Sequence, residues 1–99
     1  MARYHPLFDC DVREAANWYD CRSPGLGDRF VDAVRVAVDR VIEDPERFAA
    51  SSAGVRYVTT ATFPYVVLFD IVEESLIILG VLHTARSMNK WRARLDDIE

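Results

Sequence analysis

Lys90 is the only lysine among the 99 residues, and there are just two histidines, two cysteines, four glycines and four prolines. Two histidines without a Cys-x-x-Cys pair speak against a structural metal site, and no metal or other cofactor is expected. If Cys10 and Cys21 share a helix, about 16 Å of rise separates them, too far for a disulfide. They are expected as small, buried or half-buried thiols in a reducing compartment. No apolar run approaches the roughly 20 residues of a membrane span, and no secretory-signal pattern opens the chain. A cytoplasmic protein is the expectation.

Basic charge is also scarce. The formal net charge is −4, whereas a protein that grips nucleic acid over a broad surface is usually basic. The first half is acidic on balance, but Arg86, Lys90, Arg92 and Arg94 follow one another with no acid between them. The chain therefore offers only a local basic patch, which speaks against a general nucleic-acid-binding surface. Half of the residues are hydrophobic and 28% are charged, the balance of an ordinary folded domain. The length suits one core and one domain, residues 1–99.

The strongest pattern is the run from Phe63 to Trp91. Two apolar stretches, Tyr65–Val72 and Leu76–Leu82, flank the polar link Glu73-Glu74-Ser75 and read as a β-hairpin. His83 and Arg86 follow at once, then Trp91, Arg92 and Arg94. The hairpin thus delivers a histidine, arginines and a tryptophan to one edge of the molecule.

Upstream, residues 3–8 read as an edge strand at most, because Pro6 cannot donate to a ladder. Asp9 or Asp11 is the expected N-cap of a helix over about 11–22, with Asp11 and Glu14 at capping-box spacing. Ser23 is the expected cap of a second helix with Pro24 at its first position. Leu26, Phe30, Ala33, Val34, Ala37, Val38, Val41 and Ile42 keep a 3.6-residue period to Pro45, where the helix ends. A loop over 45–54 leads to a strand at Val55–Thr60, and a helical turn over about 87–95 closes the chain. The order β-α-α-β-β-β with a short C-terminal helix implies an α+β, two-layer domain. A small antiparallel sheet is covered on one face by a helical hairpin.

These pieces together carry a resemblance. Glu14-Ala15-Ala16 with Trp18-Tyr19, the link Ser23 to Gly27 with Arg29-Phe30, and Pro45 with Phe48 form its first half. Gly54-Val55-Arg56, Phe63-Pro64-Tyr65, His83-x-x-Arg86 and Trp91-x-x-Arg94 complete it. In this order they resemble the RelE/ParE superfamily, the toxins of bacterial type II toxin–antitoxin (plasmid-stabilisation) systems. The resemblance spans nearly the whole chain and implies a toxin silenced by a cognate antitoxin protein. It leaves the target open: RelE-like members cut mRNA in the ribosomal A site, and ParE-like members poison DNA gyrase.

Each candidate residue has two readings. In a RelE-like nuclease Arg56 and Arg86 would hold phosphate or developing charge, and His83 would act as general base or acid. Otherwise Arg56 is an exposed strand-edge arginine or ion-pairs with an antitoxin acid, His83 closes its strand by a backbone hydrogen bond, and Arg86 anchors an antitoxin acid. The partner-binding set is Arg86, Lys90, Trp91, Arg92 and Arg94, although Trp91 is expected first to pack the C-terminal turn onto the sheet. Tyr57 and Tyr65 can serve the core or stack on bases, the core being favoured for Tyr65. RelE-like nucleases rely on several clustered lysines and arginines, which this acidic chain lacks. The Ser23–Gly27 link and the His83-x-x-Arg86 ending also look ParE-like, so the sequence leans to a gyrase inhibitor. A ribosome-dependent endonuclease and a homologue that has lost toxicity are the alternatives, and whether the chain is an enzyme stays open.

Overall fold

The computed structural model describes residues 2–51 and 54–97, except for the side chains of Asn89, Lys90 and Arg92. The elements are β1 (Ala2–Tyr4), α1 (Phe8–Arg22), α2 (Leu26–Glu43), β2 (Arg56–Thr59), β3 (Tyr65–Val72) and β4 (Ser75–His83). Short 3-10 segments at Pro45–Arg47 and Asn89–Asp97 complete the set. The expected loop over 45–54 includes Ser52 and Ala53, which lie outside the described residues.

The sheet order is β1-β4-β3-β2. β2, β3 and β4 form the expected antiparallel meander. β1 differs: it runs parallel to β4, pairing Ala2 with Leu76 and Tyr4 with Ile78, so the sheet is mixed. The helical hairpin between β1 and the meander accounts for this, since it returns the chain to the same sheet in the sense a crossover connection allows.

α1 begins at Phe8, three residues earlier than its sequence suggests, and neither Asp9 nor Asp11 caps it. Leu7 is the N-cap residue, and its N–H donates to His5 Nδ1 at 3.0 Å. Asp11 is engaged elsewhere, as described below. Ser23 does not cap α2 through its side chain; Gly25 precedes Leu26 at φ 88°, a left-handed conformation that glycine adopts without strain. Asp20 of α1 instead accepts the Gly27 N–H at 2.7 Å. An added Cβ on Gly27 would strike the Ala16 carbonyl, so the two helices approach this closely only because residue 27 is glycine.

α2 buries Phe30, Val34, Ala37, Val38 and Val41 against Val58, Val67, Phe69, Ile78 and Val81 of the sheet. Each fully buried side chain of this size contributes about 1.5–3 kcal/mol. The other face of the sheet is apolar too. Val55, Val66, Leu68, Ile77, Leu79 and Leu82 form a second cluster, on which Met88, Trp91 and Leu95 of the C-terminal region pack. The two-layer expectation is thus extended by a thin third layer, and Trp91 takes the packing place expected of it. Continuous rather than alternating apolar runs in β3 and β4 are what a strand buried on both faces requires.

Cys10 and Cys21 are both free and both exposed, not half-buried. They fall on the outer side of α1 because Ala15, Val12 and Tyr19 occupy its inner side.

Candidate functional site

An open groove of about 530 Å³ lies between α1 and the C-terminal end of β4. Trp18 and Tyr19 line it from α1, Tyr65 from β3, Val81 to His83 from β4, and Arg86 and Trp91 from the segment beyond. Trp18 is 49% exposed, and its ring carries the Arg22 guanidinium 3.5 Å from its centroid. Tyr19 stacks edge-on against Phe63 and Tyr65, and burial pushes its hydroxyl pKa up, with Tyr65 adding to the shift.

His83 pairs with Tyr65 across the β3–β4 ladder. Its ring meets the Tyr65 ring edge-on at 5.1 Å. The Ala85 N–H donates to His83 Nδ1 at 3.1 Å, and the Arg86 N–H donates to the His83 carbonyl at 3.0 Å. The turn therefore places His83 and Arg86 together at the groove, with Arg86 exposed and in no ion pair among the described residues.

Arg56 is not part of this group. It pairs with Phe69 on β2, two strands and four rungs from the Tyr65–His83 pair, roughly 16 Å away by strand geometry. Its guanidinium donates to the Phe48 carbonyl at 2.7 Å, tying down the chain that leads into β2. The trio Arg56, His83 and Arg86 does not converge. The structure likewise brings no group of three or more metal-ligating side chains together among the described residues.

Arg94, expected to face a partner, is held inside the molecule. Its Nη1 donates to Asp11 Oδ2 at 2.8 Å and to the Leu79 carbonyl at 2.9 Å, and its Nη2 donates to Asp11 Oδ1 at 3.2 Å. Asp11 Oδ2 also accepts the Val81 N–H at 3.3 Å. β1 ends opposite Ile78, so this ion pair satisfies the next backbone groups along the β4 edge. Gly80 makes room for it: a Cβ there would collide with Trp91, Asp11 and Arg94. A second tie holds the same segment, where His5 Nε2–H donates to Asp97 Oδ2 at 2.8 Å. Because Nδ1 of His5 accepts from Leu7, the ring proton belongs on Nε2.

Sequence reading missed Asp11 as a partner of Arg94, and Trp18 as a groove wall. Trp18 left one signal: it stands off the Val12–Ala15–Tyr19 stripe that packs inward.

The family described as ParE toxin of the type II toxin-antitoxin system parDE matches residues 2–88. The chain belongs to the ParE toxin family. It is thus a type II toxin, and such a system implies an antitoxin partner. A solved structure of the chromosomal ParDE toxin–antitoxin system from P. aeruginosa has the same fold, with a TM-score of 0.73 at 17% identity over 83% of this chain and 92% of that one. No curated protein matches the chain. No helix of the described residues is long and apolar enough to cross a membrane.

Proposed function

We propose that this ParE-family toxin acts by binding and inhibiting DNA gyrase, without hydrolytic chemistry of its own, and is silenced by its cognate antitoxin. The observation that carries this reading is the dispersal of the nuclease candidates. RNA cleavage needs a base, an acid and a charge stabiliser around one phosphate, and Arg56 stands roughly 16 Å from His83, two strands and four rungs away, with its guanidinium on the Phe48 carbonyl. His83 and Arg86 alone leave a groove with aromatic walls, one exposed cation and the exposed Glu14 carboxylate, a surface suited to a protein partner. The net charge of −4 argues in the same direction, since ribosomal RNA would repel most of the surface.

Induced expression of the chain alone, with DNA-damage and translation reporters in the same cells, tests this. Growth arrest with filamentation and a DNA-damage response is expected, and co-expression of the cognate antitoxin should lift it. Rapid translational shutdown with cut mRNA would replace the reading by the endonuclease. No arrest from soluble, folded protein would replace it by a homologue that has lost toxicity.

A further inference from the structure

We infer that the groove accepts an extended segment of the antitoxin as a short parallel β-strand beside β4, in line with β1, with one of its residues opposite Leu82. This deepens the toxin–antitoxin reading and rests on it.

Backbone polarity sets which groups of β4 are open to a partner. The Thr60 N–H donates to the Tyr65 carbonyl, and the Thr84 N–H donates to the Pro64 carbonyl. The first bond turns Tyr65 toward β2, so the Tyr65–His83 rung is one whose backbone groups point away from each other. Val81 and His83 therefore aim their N–H and C=O outward, along the edge that β1 leaves after Ile78. No strand of the described residues runs beside them.

Two of the four outward groups are taken. Asp11 holds the Val81 N–H, and Arg86 donates its N–H to the His83 carbonyl. The Val81 carbonyl and the His83 N–H have no partner among the described residues. An antiparallel rung needs both groups of one residue, whereas a parallel rung uses the carbonyl of one residue and the N–H two residues later. The available pair is the parallel one. A single incoming residue can donate its N–H to Val81 and accept from His83, as β1 already runs parallel to β4 upstream.

The side chains set the chemistry of that segment. Opposite Leu82, the incoming residue faces the layer holding Leu82 and Trp91. Its neighbours face α1, where Trp18 and Tyr19 wall the groove. Arg86, exposed and outside any ion pair among the described residues, calls for a carboxylate beside them. The occupant is thus an extended apolar stretch of antitoxin with an adjacent Asp or Glu.

Amide hydrogen exchange by NMR tests this on the toxin alone and bound to the antitoxin co-expressed with it. The His83 amide should exchange at least tenfold more slowly in the complex, while the Val81 amide, already held by Asp11, changes little. Arg86→Glu should weaken the complex at least tenfold and leave the exchange of core amides in the free toxin unchanged. Equal His83 exchange in the two states overturns the proposal, as does new protection at Val81, which marks an antiparallel strand or another mode. If the antitoxin lifts growth arrest while His83 stays unprotected, the docking mode falls and the toxin–antitoxin reading stands. If no antitoxin binds the chain or lifts arrest, both fall.

Discussion

Arg94 and Asp11, 83 residues apart in the chain, form a two-pronged ion pair that stands in for a missing strand beside β4. Their side chains are only 17% and 16% exposed, and the same guanidinium holds the Leu79 carbonyl. Removing one partner leaves a half-buried charge and an unmet carbonyl. Arg94→Ala should therefore cost about 3 kcal/mol, read as a fall in the urea midpoint at unchanged slope. Arg94→Lys should cost less, since the charge persists and only the forked geometry is lost. An Arg94→Ala protein as stable as the parent would show that the pair is incidental.

Gly80 lies under the same pair, and any side chain there must displace Trp91, Asp11 and Arg94. Gly80→Ala should destabilise by about 2–4 kcal/mol, because the new methyl displaces Trp91 and the ion pair together. Loss of near-ultraviolet circular dichroism from Trp91 should accompany it.

The β3–β4 turn stores strain that can be relieved. Glu73 and Glu74 occupy φ 50° and 67°, where side chains with a Cβ are disfavoured by about 1 kcal/mol or more. Val72 pairs with Ser75, so the link is a two-residue turn with both central residues left-handed. Replacing the two by Asn and Gly should raise stability by about 1–2 kcal/mol, measured by thermal unfolding. A drop in stability would mean that the glutamates make compensating contacts.

The two cysteines should differ in reactivity. The Cys10 thiol donates to Glu14 Oε1 at 3.5 Å, and that hydrogen bond, with the Glu14 charge behind it, raises its pKa. Less thiolate means slower alkylation near neutral pH. Glu14→Gln should speed iodoacetamide labelling of Cys10 several-fold, with Cys21 as the internal reference. An unchanged rate would place the cause elsewhere.

Much of this fold could be read from the residues. The 3.6-residue period of α2 and the apolar runs of β3 and β4 have one solution each, and β3 begins and ends where its composition suggests. Some failures were local: Gly25 rather than Ser23 stands at the N-cap of α2, and both cysteines are exposed. Others depended on distant partners. Asp11 sits at capping-box spacing, yet Arg94 claims it, and no local pattern shows that. β1 had to pair with something, but three residues carry no signal for parallel over antiparallel. The second apolar face was legible in principle, since neither β3 nor β4 alternates. For the site, His83 and Arg86 were close in sequence and stayed close. Arg56 shared their chemistry but not their edge of the sheet, and only register separates them. The places of Lys90 and Arg92 in a partner contact rest on sequence alone, as their side chains lie outside the described residues.

Purified toxin added to DNA gyrase in a supercoiling assay shows whether gyrase is the target. Supercoiling should be lost, the antitoxin should restore it, and Arg56→Ala toxin should inhibit as well as the parent once folded protein is matched. Unimpaired supercoiling, with mRNA cut on translating ribosomes and cutting abolished by Arg56→Ala, would contradict gyrase inhibition.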